Sequence, residues 1–495
     1  MLRTIGEFFM PVICWFRRDL RLTDHRALYA AAEASAGAVI PVFILDDTIL
    51  HDGYVGAALI AVTLAMLEAL DHDLQQRGSR LIVRHGQPLA ELQRLVSETQ
   101  ASGVYWNRDY LPYAIKRDSA VKHWLREQGL QAHSFHDSVL VEPEGLKTKT
   151  EQKPYVVYGS YVKRWSELAY HQAEQLVPAP SKFVAPPSDL ASLPIPSLAD
   201  LGFELQQTIP QVGETIAQQR LAQFFDRRQK LSVLKYTKAR EVPAEAGTSQ
   251  LSVDLRMGTI SIRQCLKQAV DLLTEPLNAE QRQGVDTWLK ELAWRDYYTQ
   301  LIYHNPYMLN GSLDPRYDQI IWRNDPSEFL AWQQGQTGYP IVDAGQRQLN
   351  QMAWMHNRVR MISASFLIKD LLIDWRWGER YFMQQLCDGD PTANNGGWQW
   401  AAGSSGPSAQ PYFRIFNPIA QSKKHDPDGQ YIRRFVPELA NVPDHYIHEP
   451  WTMPPAVQAH VGCVIGRDYP APLVEHSFAR ERALAAYRTA LQTND

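Results

Sequence analysis

The chain has 495 residues, enough for two or three domains with cores of their own. With 21% charged and 45% hydrophobic residues it has an ordinary globular composition, which excludes a disordered or collagen-like chain. A formal net charge of −4 excludes a protein that is basic all over, so a polyanionic partner must be met by a local patch.

The opening "MLRTIGEFFMPVICWF" has a short apolar patch but no small-residue cleavage site, and it runs straight into "RRD"; this speaks against a secretory leader, and Met10 is a second candidate start. "PVICWF" (11–16), "AVIPVFIL" (38–45), "SRLIVRHG" (79–86) and "GVYWNRD" (103–109) read as buried strands. Helical spacing of apolar residues fills 56–78 and 88–100 between them, which predicts a Rossmann-like parallel sheet covered by helices over 11–140. The stretch 176–198 is too rich in proline to continue either element, so 141–214 is expected to be an interdomain linker. Beyond it the helical period dominates, with long amphipathic segments at 286–303 and 361–375, and 215–495 is predicted to be an all-α domain. Cys14, Cys265, Cys387 and Cys463 form no CxxC pair, which points away from zinc and disulfides and towards a reducing cytoplasm. No apolar run approaches the roughly 18 residues of a membrane span.

Several clusters suggest a ligand. On the helix at 286–303, Trp288, Glu291, Trp294, Arg295 and Tyr298 share a broad face. A packed face with a Glu291–Arg295 pair is the plain alternative, but a carboxylate between two indoles is costly unless a donor satisfies it. "WMHNRVRM" (354–361) groups Trp354, Asn357, Arg358, Arg360 and Met361, two of them cations that can reach phosphates. "GTSQLS" (247–252) offers a glycine turn and hydroxyls before a possible helix start, a common way to hold a diphosphate and also an ordinary cap. In "NNGGWQW" (394–400), after the acidic "DGD" at 388–390, the amides and glycines are expected to break the helix and let backbone approach a flat ligand beside two tryptophans. Arg414, Lys423, Lys424, Arg433 and Arg434 form either a solvated surface or the local basic patch.

"WFRRDLRLTDHRAL", "GTSQLS", "ELAWRDYY", "TGYPIVDAGQRQL", "WMHNRVRM", "DGDPTANNGGWQWAA" and "YFRIFNP" occur in this order, and from residue 11 almost to the C-terminus the chain resembles the photolyase/cryptochrome family, most closely the class I cyclobutane pyrimidine dimer photolyases. The resemblance implies a U-shaped FAD held by Tyr236, Thr248, Ser249, Gln250, Leu251, Ser252, Trp288, Arg295, Asn357, Arg360, Asp388, Gly389, Asp390 and Asn394. Asp388 would pair with Arg360, Asp390 would meet the polar edge of the flavin ring, and Asn394 would sit at its N5, with an amide able to face that nitrogen with or without its proton. Trp398, Trp375 and Trp322 would carry electrons towards the ring. Damaged DNA would meet Arg240, Glu291, Trp294, Asn357, Arg358, Met361, Trp400 and Arg414, with Glu291 on the dimer's base edge and Trp294 and Trp400 stacking on a lesion flipped out of the duplex. The implied activity is light-driven splitting of pyrimidine dimers by reduced FAD, in a monomer with no obligatory protein partner.

A signalling cryptochrome is the rival reading. Asn394, the retained lesion residues Glu291, Trp294 and Met361, and an end at Asp495 without a signalling tail favour the photolyase. Paired histidines expected of a (6-4) photolyase are replaced by "MHNR", and a DASH-type cryptochrome would differ around "NNGGWQW". No nicotinamide fingerprint supports a light-independent redox enzyme. An antenna chromophore is expected in the N-terminal domain. Tyr113 and Ala114 stand where a folate site would offer Asn and Glu, so 8-hydroxy-deazaflavin is favoured over methenyltetrahydrofolate, with Asp109 and Arg256 as contacts, although Leu111 stands where such a site would offer an acid.

Overall fold

A computed structural model describes residues 10–148 and 152–492. Five parallel strands, β1 (Val12–Phe16), β2 (Val39–Asp46), β3 (Ile82–Gly86), β4 (Gly103–Asn107) and β5 (Gln131–Phe135), lie in the order β3-β2-β1-β4-β5. Strands β1, β2 and β4 are buried along their whole length, as strands covered by helices on both faces must be. The register pairs Val12 with Val39 and Ile13 with Val104, making β1 the centre from which the chain winds both ways. Helices α1 (Arg26–Ala34), α2 (Ala57–Gln75), α3 (Pro88–Thr99) and α4 (Pro112–Glu127) cover the sheet. The expected strands are all present. The fifth, "QAHSF", is a partly exposed edge strand, and its polar residues hid it.

The linker expected over 141–214 needs correction. Within it α5 (Tyr158–Ala169) is a helix whose Tyr161 and Trp165 are fully buried in the helical domain. The proline-rich stretch does lack regular structure, but it lies along the first domain: Val177 N–H donates to Asp24, Val184 to the Gly37 carbonyl and Leu193 to the Val83 carbonyl. A proline-rich chain has few N–H groups to satisfy, so it can run extended over a surface.

The second domain is helical, built around α6 (Ser252–Met257), α7 (Ala279–His304), α8 (Asn357–Ser365), α9 (Trp375–Gln385), α10 (Pro391–Ala402) and α11 (His476–Gln492). The single helix expected over 361–375 is broken. After α8 a π-helical turn, Phe366–Asp370, widens the backbone, and α9 starts afresh at Trp375 with Asp374 as its N-cap. Buried ion pairs join the two domains: Arg263 of the helical domain reaches Asp137 (2.6 Å) and Asp24 (2.8 Å), and Asp137 is also held from within the first domain by Arg21 (2.7 Å). Removing one member of such a network leaves a buried charge without its partner, which fixes how the domains sit. Among the described residues no helix is long and apolar enough to cross a membrane.

Candidate functional site

The segment "NNGGWQW" is helical, contrary to its composition. Asp390 caps α10, its Oδ1 accepting from the N–H groups of Thr392 (2.9 Å) and Ala393 (3.2 Å), and Pro391 starts the first turn. Packing overrides propensity here. Gly396 is needed because a Cβ would run into the Tyr298 ring of α7, so the glycine lets the two helices touch.

Between α7, α8, α9 and α10 lies a cavity of about 380 Å³. One part of its wall carries Arg240, Glu291, Trp294, Met361 and Trp400; another carries Arg295, Asn357, Arg360, Asp388, Gly389, Asp390 and Asn394. The expected Asp388–Arg360 pair is present at 2.8 Å. Glu291 does not pair with Arg295: it accepts from Arg240 at 2.5 Å, while Arg295 turns to the Leu255 and Ser138 carbonyls. Trp294 stacks flat on Tyr158, 3.5 Å between ring centroids and 6° between planes, and Trp400 is half-buried. Asp390 is not a bare acid in the cavity wall. Burial disfavours its charge, yet Arg18, Arg256 and Arg295 hold the carboxyl far below the usual range, and Arg18 bonds to it directly. Asn394 donates from Nδ2 to both the backbone carbonyl and the Oε1 of Glu379, 2.9 Å each. Its amide oxygen is thereby turned away from Glu379. Burial pushes Glu379 up to about 7, against hydrogen bonds from Tyr54 and Asn394.

A second cavity of about 310 Å³ adjoins the first across the segments 354–361 and 387–390. Thr248, Gln250, Ser252, Arg220 and Arg434 line it. His356 lines it too. Burial, then Arg360 and Arg358, lower its pKa to about 4, and its Nδ1 accepts from the Arg358 N–H at 3.2 Å. The neutral ring therefore carries its proton on Nε2, a buried donor with no protein partner. Hydroxyls, arginines and an unanswered donor suit a polar, anionic ligand segment, and the larger aromatic cavity suits its flat end. Tyr236, Ser249, Leu251 and Trp288 stand behind these walls: Trp288 packs on Phe225 (5.1 Å) and points its indole N–H at Ser249 (3.4 Å).

The family model described as the FAD binding domain of DNA photolyase matches residues 288–489, and that described as DNA photolyase matches 12–181. A deoxyribodipyrimidine photo-lyase from Synechococcus is 40% identical over 96% of this chain and 96% of its own. The chain belongs to the DNA photolyase family. A solved class III photolyase from Agrobacterium tumefaciens is 39% identical with a TM-score of 0.89, covering 99% of this chain and 100% of its own. An archaeal photolyase from Sulfolobus tokodaii, solved with two FAD molecules, is 31% identical with a TM-score of 0.80, covering 97% of this chain and 100% of its own.

An FAD-binding domain is therefore part of the chain, and its cavities fit the cofactor. Trp398, on the cavity wall, and Trp375 are buried in one hydrophobic cluster, and Trp322, half-buried, packs against that cluster. Arg358 and Arg414 do not line the cavity. Arg358 is held by Glu241 at 2.5 Å and Arg414 is exposed. The basic patch is also partly answered, with Lys423 on Glu449 (2.5 Å) and Arg433 on Asp444 (2.7 Å). A third cavity, about 560 Å³, opens at the C-terminal ends of β1, β2 and β4, where the strand order reverses. Asp109, Leu111, Tyr113, Ala114 and Arg256 all line it; Asp109 faces Arg18 at 3.4 Å, and the Tyr113 hydroxyl donates to Asp46 at 2.7 Å. Sequence reading missed Glu379, Tyr54, Tyr158 and Arg18. Only Arg18 had a signal, as part of "WFRRD".

Proposed function

We propose that this chain is a light-dependent DNA repair enzyme that splits cyclobutane pyrimidine dimers. The observation that carries this reading is that one cavity joins Asn394, Arg360 and Asp388 to Glu291, Trp294, Met361 and Trp400, so a flat cofactor and a flat lesion can meet inside it. When bound, reduced FAD supplies an electron to the dimer on absorbing light and takes it back after the ring has opened. The chain's own share is positioning and electrostatics. Asn394, its Nδ2 held by Glu379, turns its amide oxygen to the flavin edge, and Arg360 with Asp388 fixes charge beside it. Thr248, Gln250, Ser252 and the Nε2 proton of His356 hold the diphosphate arm. Trp294, backed by Tyr158, and Trp400 stack on the flipped lesion, while Glu291 accepts a hydrogen bond from its base edge. Trp398, Trp375 and Trp322 form the route by which oxidised cofactor is re-reduced.

Arg240, Arg358 and Arg414 contact DNA phosphates, the acids Glu291 and Glu241 giving way to phosphate at the first two. The third cavity takes an antenna chromophore. Its lining is mainly apolar, with Asp109 and Arg256 at one wall, and 8-hydroxy-deazaflavin is favoured over a folate. The protein acts as a monomer in the cytoplasm, without an obligatory protein partner. The curated relative is named as a lyase rather than a photoreceptor, which supports repair over signalling.

The test is an oligonucleotide with one defined thymine dimer, incubated with reduced holoprotein in light and in darkness. Return of two intact thymines in light alone is expected. No repair in light by flavin-loaded protein would overturn the proposal.

A further inference from the structure

Residues 51–56, just before α2, bridge two cavities that are far apart in sequence. The segment is docked on α9: the Gln384 side chain donates to the Gly53 carbonyl at 3.0 Å, and Gly56 lies so close to the Gln384 backbone that a Cβ would not fit. Tyr54 lines the 560 Å³ cavity. Its hydroxyl leaves that cavity and donates to Oε1 of Glu379, the same oxygen that receives the Asn394 amide at 2.9 Å. Asn394 in turn lines the 380 Å³ cavity. Glu379 is buried, so two donors on one oxygen fix its rotamer and, through it, the amide of Asn394.

We propose that Tyr54 is a positioning residue that couples the N-terminal chromophore cavity to Asn394 through Glu379. This rests on the reading that the 380 Å³ cavity holds the flavin. A chromophore seated against the Tyr54 ring biases where the hydroxyl points, and Glu379 and the Asn394 amide follow. The coupling is reciprocal, so protonation of Glu379 also changes how tightly the chromophore binds.

The charged and titratable groups around this link are few. Arg380 on α9 favours the Glu379 carboxylate, as do the Tyr54 and Asn394 hydrogen bonds, while burial opposes it; Asp52 and Asp390 act on Tyr54 itself. Burial outweighs the Arg380 charge and the two hydrogen bonds and leaves the Glu379 carboxyl pushed up to about 7. Tyr54→Phe removes one hydrogen bond to the carboxylate and keeps the ring, so it raises that pKa by about one unit.

The experiment follows the midpoint potential of the bound flavin against pH in FAD-loaded protein. It also follows the infrared carboxyl band that Glu379→Gln removes. In the native protein both show a break at the Glu379 titration. Saturating 8-hydroxy-deazaflavin moves the native break, and Tyr54→Phe moves it up by about one pH unit and abolishes the response to the chromophore. Gln384→Ala loosens the segment while keeping the hydroxyl, and leaves the break in place. An unmoved break in Tyr54→Phe, or an equal move in Gln384→Ala, overturns the proposal. A chromophore that binds without moving the native break overturns it too. The infrared band reports without flavin, so protein that fails to hold FAD would refute the reading of the cavity while the Tyr54 coupling is still measured.

Discussion

Glu291 separates a structural from a chemical role most cleanly. Its side chain is 33% exposed and that of Arg240 19%, so their 2.5 Å pair is partly solvated. Such pairs contribute roughly 0.2–1 kcal/mol. Glu291→Ala should therefore lower the melting temperature by roughly 2–4 °C at most in a domain of this size. A charge-assisted hydrogen bond to the lesion is worth about 1.5–3 kcal/mol, which corresponds to roughly 10- to 150-fold weaker binding of dimer DNA. Repair per absorbed photon should also fall at saturating lesion, because stabilising the charge on the reduced dimer acts only after electron transfer. The assay compares native and variant holoprotein by flavin content, melting temperature, affinity for an oligonucleotide carrying one dimer, and repair yield under counted photons. Normal affinity and yield in a protein that melts many degrees lower would refute the reasoning and leave Glu291 as a packing residue.

Trp398→Phe should block photoreduction of oxidised FAD while repair by chemically pre-reduced enzyme continues, since a phenyl ring is far harder to oxidise than an indole; photoreduction at the native rate with the same donor would rule out this route. Arg358→Ala and Arg414→Ala should each weaken binding to damaged and undamaged DNA alike and reduce the salt slope by roughly 0.9. Loss confined to damaged DNA, with the slope intact, would contradict a phosphate contact. Gly396→Ala should cost about 1–3 kcal/mol, because the added methyl meets the Tyr298 ring at the α7–α10 contact, and thermal unfolding at native stability would show that the helices can part.

The sheet was largely legible because β1, β2 and β4 are apolar on both faces and stand out as runs. Edge strand β5 has no such run. Prolines at 176–198 made 141–214 read as a linker, although "YGSYVKRWSELA" within it forms a helix whose Tyr161 and Trp165 fill the helical core. The segment 361–375 has helical spacing throughout, yet spacing does not reveal a π-helical turn that buries Lys369 and Asp370. For the site, the Asp388–Arg360 pair was an expectation of the family resemblance that "DGD" and "WMHNRVRM" help to carry; spacing alone does not bring the two segments together. What joins distant segments left no local mark. Arg240 answers Glu291 from 51 residues away, and Tyr54 reaches Glu379 across 325. Composition misled at "NNGGWQW", where the glycine that should break a helix instead lets it pack on α7.

The central claim is that flavin and dimer meet in one cavity, between Asn394 and the Trp294–Trp400 side. The most direct measurement is the fluorescence lifetime of reduced FAD in the protein, titrated with matched oligonucleotides with and without a single dimer. The account predicts that the dimer shortens the lifetime and undamaged DNA does not, and that Trp400→Ala loses the effect at DNA concentrations that saturate the native protein. A lifetime unchanged by bound dimer, while light-dependent repair proceeds, would contradict it.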